Sequence, residues 1–555
     1  MKLRLFVVFA VVVAAPAIEA QHVHGTVRDS VTGRPIAGAV VVIQDSTGQT
    51  VSRAVSDQRG RYAVFAPPPS RRVRLLRLGF RARELTLSGP ISAHDSLVVA
   101  MVPLPTLLEP TRATTGATCP PRSDREAAFA LLEQARAAFL ATVVAREANP
   151  ANLLRLKYAR TFEPRSDRIA QQDVRMESTT VSPTSFSAIR SAVDFSRLGF
   201  TINDGKIKRF LGVDGDVLLD SRFADAYCFS IHKSDRARPD QIGLDFSAAR
   251  SQRGRIDIDG TLWIDTVARR LQDIEYRYVG LERALEAMRP EGQTRFREMP
   301  NGIALIDQWW LRSVIRVTDT VVSPQFQVQI RTQVGVTETG GELADAAWPD
   351  GSSWHAALGA LHVSVANPKE ELPRGTQVHL VGTDYSANID TTGSFEISRL
   401  VPGPYSLSVV DPRLATVGAE ILTTFQFVAS RDSTIDESVR LPTAKDFVAK
   451  RCMEAGHYDV AARVYVFGRL ANRNGVPIKD AVISVLREAG PRDWRPITTQ
   501  IRSDGKGYFQ FCEAALREGE PVIIRARTTD GVTVDALHTL SADVNVVPVR
   551  IEPRS

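Results

Sequence analysis

The chain has little histidine and cysteine and none of the common catalytic motifs. Its 555 residues include nine histidines and four cysteines. No histidine is followed by a glutamate three residues later, and no His-Glu-x-x-His occurs, so the ligand spacing of common zinc peptidases is absent. No Gly-x-Ser-x-Gly turn and no phosphate-binding glycine loop is present. The sequence therefore predicts a protein that is not an enzyme and that holds no metal or cofactor.

Long apolar runs are confined to the N-terminus. Lys2 and Arg4 precede an apolar run over residues 5–15, and Ala15, Ala17 and Ala20 are candidate positions before a cleavage point. This layout is typical of a secretory signal peptide, 1–20, whereas a membrane anchor would need about 20 apolar residues. No later segment is expected to be apolar enough to span a bilayer. We therefore expect an exported chain that is periplasmic, associated with the outer membrane or secreted.

Charge of neither sign dominates the chain. The net charge is +6, and charged residues make up 24% of the sequence. An exported chain is a poor partner for nucleic acid, but a mild positive charge permits contact with anionic surfaces such as lipopolysaccharide or cell-wall polymer. The expected partner is an envelope glycan or another envelope protein.

One short segment is rich in arginine, with Glu84 as the first acid after it. Its arginines are Arg71, Arg72, Arg74, Arg77, Arg81 and Arg83. Apolar residues alternate with several of them, so the segment is typical of a strand pair with a solvated face. The alternative interpretation is a patch that binds an anionic surface.

One pattern occurs three times along the chain. It consists of a Gly-x-Pro-Ile turn, a short β-branched strand, an Asp-x-x-Gly turn and a strand with alternating apolar residues. The first copy has these parts at 33–36, 39–43, 57–60 and 61–65, and the last copy has them at 475–478, 481–485, 504–507 and 508–511. The middle copy has the second half of the pattern at 390–397, followed by another turn and strand at 402–407.

The pattern resembles the carboxypeptidase regulatory-like domain, a transthyretin-like β-sandwich of seven strands. The resemblance covers 21–104, 357–441 and 458–553, and the middle copy departs from it at 372–375, where Leu-Pro-Arg-Gly replaces the glycine turn. Members of this family flank zinc carboxypeptidases, precede outer-membrane receptors, or accompany adhesins and sugar-binding proteins. The resemblance therefore implies packing or binding, here without the peptidase domain.

Each copy has one aspartate in its glycine turn: Asp57, Asp390 and Asp504. An aspartate at this position can accept hydrogen bonds from backbone N–H groups of its own turn. Calcium is the alternative, but it needs about 6–8 oxygen ligands and usually several acidic side chains. We therefore predict a turn-bonding role for all three.

The region between the first two copies has a different pattern. A linker rich in proline and threonine, 105–122, leads to a region, 123–345, with one amphipathic helix and then alternating strands. Short turns such as 300–302 predict a curved antiparallel sheet with the helix packed on it. A second, helical linker is expected at 442–457. The predicted fold is thus mostly β, with three sandwich modules and one central sheet domain.

Trp309 and Trp310 are adjacent in a predicted strand, so their side chains point to opposite faces. We expect one ring in the core and the other in position to line a ligand.

The sequence as a whole leaves three hypotheses about function. The first is a non-enzymatic envelope protein, the second is a carbohydrate- or cell-wall-binding protein, and the third is an enzyme with unrecognised chemistry in 123–345.

The four cysteines predict two disulfides, because an exported chain folds in an oxidising compartment. Cys512 ends the alternating strand of the last copy, and Cys452 lies in the helical segment just before that copy. Cys119 precedes the middle helix, and Cys228 lies in an apolar strand. The predicted pairs are Cys119–Cys228 and Cys452–Cys512.

Overall fold

The computed structural model describes residues 22–67, 70–86, 96–104, 119, 122–163, 166–179, 195, 198–203, 208–213, 217, 220–232, 235–250, 254–322, 328–367, 371–491 and 493–551. These residues form 34 strands and five helices, so the chain is mostly β, as predicted. The predicted signal peptide and most of the linker 105–122 lie outside the described residues. Two compact units can be separated: residues up to 157 with 176–355, and 158–175 with 356–555.

The first sandwich has seven strands. They are β1 His22–Asp29, β2 Val40–Gln44, β3 Thr50–Val55, β4 Arg61–Phe65, β5 Arg72–Leu76, β6 Arg83–Thr86 and β7 Ser96–Met101. They form two sheets with the orders β4-β1-β7 and β3-β2-β5-β6. Strand β2 is rich in valine because both of its faces are covered: Val41 and Ile43 lie in the sandwich core, and Val40 and Val42 lie in a second apolar cluster.

The central domain follows. Its elements are α1 Arg122–Ala148, β8 Asn152–Phe162, β9 Ile169–Thr179, β10 Thr201–Asn203, β11 Lys208–Phe210, α2 Ser221–Ala226, β12 Tyr227–Ile231, β13 Gln241–Ala248, β14 Asp257–Asp265, β15 Arg270–Val279, α3 Arg283–Glu286, β16 Glu291–Glu298, β17 Ala304–Val322, β18 Val328–Ala347 and β19 Ser353–His355. Strands β12 to β18 form an antiparallel meander, as predicted. Strands β8 and β9 extend the sheet beyond β18, and β19 also pairs with β18.

Helix α1 is buried on two sides. Leu131 lies in the core on the inner face of the central sheet, and Val144 packs in a cluster with Val42 of the first sandwich. The segment Glu126–Ala148 is long and apolar enough to span a bilayer, so the expectation that no segment after the signal has this composition is wrong. Half of its most apolar window is buried inside the protein, and core helices share this composition.

The second unit contains the other two sandwiches. Their elements are β20 Gly359–Val365, β21 Gln377–Leu380, β22 Ser386–Asn388, β23 Ser394–Leu400, β24 Gly403–Val410, α4 Pro412–Ala415, β25 Ile421–Ala429, β26 Thr434–Val439, α5 Ala444–Glu454, β27 Val464–Asn472, β28 Val482–Gly490, β29 Asp493–Pro496, β30 Ile501–Arg502, β31 Tyr508–Phe511, β32 Pro521–Arg527, β33 Thr533–Thr539 and β34 Asp543–Ile551. The second sandwich has sheets β23-β20-β26 and β22-β21-β24-β25, and the third has β31-β27-β34 and β29-β28-β32-β33, with β30 on β28.

Residues 158–175, the end of the β8–β9 hairpin, belong to this second unit. The amide of Gln172 donates to the hydroxyl of Tyr405 over 3.2 Å, and the guanidinium of Arg160 donates to the carbonyl of Pro402 over 2.8 Å. Ile169 is buried in the core of the second sandwich. The hairpin end is therefore an integral part of the second unit, whereas the chain up to residue 157 and from 176 to 355 belongs to the first unit.

The three sandwiches share one topology. In each, the first strand lies in the middle of the three-stranded sheet. It runs antiparallel to the strand that follows the aspartate turn and parallel to the last strand of the module. The common arrangement supports the interpretation of the repeats as copies of one module.

A glycine in the first strand of the last copy has a packing role. Gly468 lies opposite Phe509 on one side and Val547 on the other. A Cβ at Gly468 would overlap the Phe509 ring and the Val547 carbonyl. In the middle copy, Val363 and Phe395 occupy the places of Gly468 and Phe509. A glycine at this place is therefore not needed in every copy.

Both disulfides join the pairs predicted from the sequence. Cys119 is bonded to Cys228, with Cα atoms 5.1 Å apart, and Cys452 is bonded to Cys512, with Cα atoms 6.2 Å apart. Cys452 and Cys512 are fully buried in the core that α5 shares with the second and third sandwiches. This bond therefore fixes α5 to the module that it precedes.

Removal of the buried disulfide is expected to destabilise the second unit. The Cys452→Ala/Cys512→Ala variant opens a loop of 60 residues, for which the chain-entropy model gives about 4 kcal/mol. Alanine avoids placing a hydroxyl in the apolar core. Urea unfolding measures the loss, and peptide mapping without reduction should recover both linked pairs from the unaltered protein. Free or exchanged thiols in that map would contradict the pairing.

Substitution of Gly468 tests the packing of the repeated first strand. Gly468→Ala is expected to lower the free energy of unfolding by about 1–3 kcal/mol, because the new methyl group overlaps the Phe509 ring. Gly490→Ala is the matched control, because the space around it in the same sandwich is open, and its expected effect is below about 0.5 kcal/mol. Urea unfolding followed by circular dichroism compares the two. Equal losses would show that Gly468 has no special packing role.

Candidate binding face of the central sheet

The central sheet has two chemically different faces. The face toward α1 is apolar, and the opposite face carries carboxylate, amide, hydroxyl and indole groups. Five residues lie directly opposite one another across β13 to β17 on this second face. They are Asp245, Thr261, Glu275, Gln293 and Trp310, here called the polar ladder. Cross-strand neighbours of this kind interact because their Cβ atoms lie about 4.5–5.5 Å apart.

Hydrogen bonds join most neighbours in the polar ladder. The Thr261 hydroxyl donates to Asp245 over 2.6 Å. The Gln293 amide donates to Glu275 over 3.3 Å, and its carbonyl oxygen accepts from the Trp310 indole over 3.2 Å. The ladder thus satisfies much of its own hydrogen-bonding capacity.

Arg238 approaches the polar ladder from the loop before β13. Its guanidinium lies 4.6 Å from the centre of the Trp263 ring and bonds both Asp273 oxygens over 3.2 Å and Glu275 over 2.5 Å. Burial raises the pKa of Asp273, although the charge of Arg238 opposes that rise. Asp273 is only 2% exposed. Loss of Arg238 would therefore leave a buried carboxylate without the cation that bonds it, which is costly.

A histidine and a carboxylate also meet on this face. His232 Nδ1 lies 2.8 Å from Asp245, which accepts the Thr261 hydroxyl as well. In a hydrolytic triad the nucleophile bonds the second ring nitrogen of the histidine, whereas here the hydroxyl bonds the carboxylate. Within the described ranges, no three His, Cys, Asp or Glu side chains are grouped as metal ligands. The arrangement therefore resembles a structural hydrogen-bonded pair more than a catalytic group.

Trp309 and Trp310 lie on opposite faces of β17, as their adjacency predicts. Trp309 is buried in the core on the inner face of the sheet. Trp310 is half-buried on the polar ladder, and the Arg312 guanidinium lies 5.9 Å from the centre of its ring. Arg312 bonds Glu338 over 3.1 Å. Of the two predicted ligand-lining residues, only Trp310 is in a position to contact a ligand.

The three repeated aspartates lie apart, each in the turn of its own sandwich. Asp57 accepts from the backbone N–H groups of Arg59 and Arg61 over 2.9 and 2.8 Å. Asp390 and Asp504 make the equivalent pairs of bonds, with distances between 2.8 and 2.9 Å. The Thr392 hydroxyl contributes most to lowering the pKa of Asp390. Each carboxylate thus bonds the backbone of its own turn, which is the geometry expected for the turn-bonding role.

Sequence reasoning missed a buried serine that precedes the aspartate in the first and last copies. The Ser56 hydroxyl accepts from the Ala39 N–H over 2.9 Å and donates to the Ile36 carbonyl over 2.8 Å. Ser503 bonds the corresponding backbone groups in the last copy. The shared Ser-Asp dipeptide was a usable signal, but its partners about 20 residues earlier are visible only in the fold.

The arginine-rich segment divides into two kinds of residue. Arg77 is 9% exposed and bonds Glu298 over 2.9 Å, whereas the other five arginines are exposed. The solvated-face interpretation therefore holds for most of the segment but not for Arg77, because this residue packs against the central domain.

Comparison with known proteins identifies the first sandwich. The sequence profile of the carboxypeptidase regulatory-like domain matches residues 22–101. No curated protein matches the chain.

Several solved structures are similar to parts of the chain. The Bacillus anthracis TIE protein is 8% identical over 62% of this chain and 62% of its own, with a TM-score of 0.15, so the chain spans less than two thirds of it. A streptococcal ancillary pilin is 13% identical over 49% and 85%, with a TM-score of 0.15. The major pilin subunit BcpA of Bacillus cereus is 6% identical over 95% and 98%, with a TM-score of 0.12. TM-scores this low do not identify a function.

The profile match and the seven-stranded topology agree on the same residues. Residues 22–101 are therefore a carboxypeptidase regulatory-like domain.

Proposed function

We propose that the protein is an exported, non-enzymatic protein of the cell envelope, whose sandwiches serve for packing or binding. The observation that carries this proposal is the pairing of its reactive side chains. On the face of the central sheet opposite α1, histidine, carboxylate and guanidinium groups bond one another across the strands. A catalytic group needs free access to a substrate atom, whereas groups paired in this way hold the sheet face in one arrangement.

The two disulfides support export. Disulfides form and persist in oxidising compartments and are rare in the cytosol. The chain uses all four of its cysteines in two bonds. The N-terminal apolar run supplies the signal that would bring the chain to such a compartment.

Deletion of residues 2–20 tests export and thiol state together. In a Gram-negative host, the full chain is expected in the envelope fraction, shortened after residue 20 and without free thiols. The deletion variant is expected to remain in the cytosol with reduced cysteines, because glutathione and thioredoxin keep thiols reduced there. Fractionation with thiol labelling and intact-mass measurement distinguishes the two forms. A full-length chain in the cytosol with free thiols would overturn the proposal.

A second candidate function is binding of an envelope glycan at the polar ladder. Trp310 supports it, because a half-buried indole beside an amide, a guanidinium and a carboxylate combines a stacking surface with directional hydrogen bonds. Sugars are recognised by groups of both kinds.

Trp310→Ala tests the glycan hypothesis. Retention on purified peptidoglycan or lipopolysaccharide is expected to fall about tenfold or more, as for removal of an aromatic binding hot spot. Trp494→Ala is the matched control, because Trp494 is a half-buried indole in the third sandwich, away from the ladder. Unchanged retention of the Trp310→Ala variant, or equal losses in both variants, would remove this function.

A further inference from the structure

A groove of about 760 Å³ lies between the first sandwich and helix α1, within the first unit. Small-molecule sites commonly have volumes of about 300–1,000 Å³. Aliphatic and aromatic side chains line the groove from both sides, among them Leu76 and Phe80 from the sandwich and Leu140 and Val143 from the helix. Four arginines also line it: Arg53, Arg74, Arg77 and Arg136.

Two of these arginines have carboxylate partners. Arg77 bonds Glu298 over 2.9 Å, and Arg136 bonds Glu133 over 2.8 Å. Gln134 fixes the wall of the groove, because its side-chain oxygen accepts from the Gly79 N–H over 3.1 Å. The groove is thus built from residues that the fold holds in place.

Arg53 and Arg74 differ from the other two. Both are exposed. Arg53 on β3 and Arg74 on β5 are the cross-strand neighbours of Val42, one on each side of β2. Strands lie about 4.8 Å apart, so the two Cα atoms are about 10 Å apart on the same face of the sheet. In the part of the chain that the structure describes, no carboxylate pairs with either of them. Glu84, which lies opposite Arg74, is 3.5 Å from Arg72 instead.

The charge around the groove is therefore unbalanced. Its lining contains four guanidinium groups and two carboxylates, those of Glu133 and Asp220, and Glu298 supplies a third carboxylate through its bond to Arg77. The Glu133 carboxylate is already bonded to Arg136. A groove with several apolar side chains and two exposed guanidinium groups that have no carboxylate partner is complementary to a ligand with an apolar body and an anionic head.

We propose that this groove binds the acyl chain of an anionic lipid, with Arg53 and Arg74 on its phosphate headgroup. Burial of the chain against the aliphatic lining is favourable at about 25 cal/mol per Å². Guanidinium and phosphate form charge-assisted, often bidentate hydrogen bonds. The site is on the first sandwich and not on the polar ladder, so it does not depend on the glycan hypothesis.

The arginines of the groove differ from those of a general cationic surface. Of the six arginines between 71 and 83, only Arg74 and Arg77 line the groove. Arg81 and Arg83 are exposed on the same sandwich but outside it. A surface that attracts anionic lipid by net charge alone would use all exposed arginines equally.

Calorimetric titration of the full-length protein with dihexanoyl phosphatidylglycerol, held below its micelle concentration, tests the proposal. Arg53→Ala/Arg74→Ala is expected to weaken binding about tenfold or more, because charge-assisted bonds are lost. Arg81→Ala/Arg83→Ala removes the same charge outside the groove and is expected to leave binding within about twofold. Ala130→Trp, on the exposed wall of α1, fills the groove without a change of charge and is expected to weaken binding as strongly.

Several outcomes would overturn the proposal. Equal losses in the two double-arginine variants would indicate attraction by surface charge, and unchanged binding by the Ala130→Trp variant would place the lipid outside the groove. Equal affinity for dihexanoyl phosphatidylcholine would remove the role of the anionic head. Displacement of the lipid by a hexaglutamate peptide would assign the groove to an acidic protein partner. These readouts use purified protein, so they are independent of the export experiment.

Discussion

The burial of helix α1 on two sides is the interaction on which the first unit depends. Its one side completes the core of the central sheet, and its other side covers Val40 and Val42 of the first sandwich. A helix that serves two cores has an apolar belt wider than that of a surface helix. This requirement explains why its composition matches that of a spanning helix. It also places the groove between the helix and the outer face of the sandwich.

A shorter helix has a comparable role in the second unit. Val448 and Cys452 of α5 are fully buried in a core that also contains Leu441 and Phe467. A capping box at Thr443 and Asp446 defines the start of this helix. The disulfide to Cys512 then fixes its far end. Helix α5, which links the second and third sandwiches, is therefore part of the core that they share.

The two candidate surfaces of the first unit differ in the way their charges are matched. Beside the polar ladder, Arg238 and Arg312 each bond a carboxylate that is almost fully buried, so their charges are neutralised within the protein. Beside the groove, Arg53 and Arg74 are exposed and lack such partners among the described residues. Matched, partly buried pairs hold a surface in one arrangement, whereas unmatched exposed cations remain available to an external anion.

The sequence alone determined the features that depend on local order. The glycine turns, the alternating strands and the opposite directions of Trp309 and Trp310 follow from spacing along the chain. The tertiary structure decided which indole is buried, because this depends on the side of the sheet that α1 covers. It also placed residues 158–175 in the second unit and brought Arg53 beside Arg74. Such contacts join residues that are distant in sequence, and the local periodicity of a strand specifies its faces but not its partners.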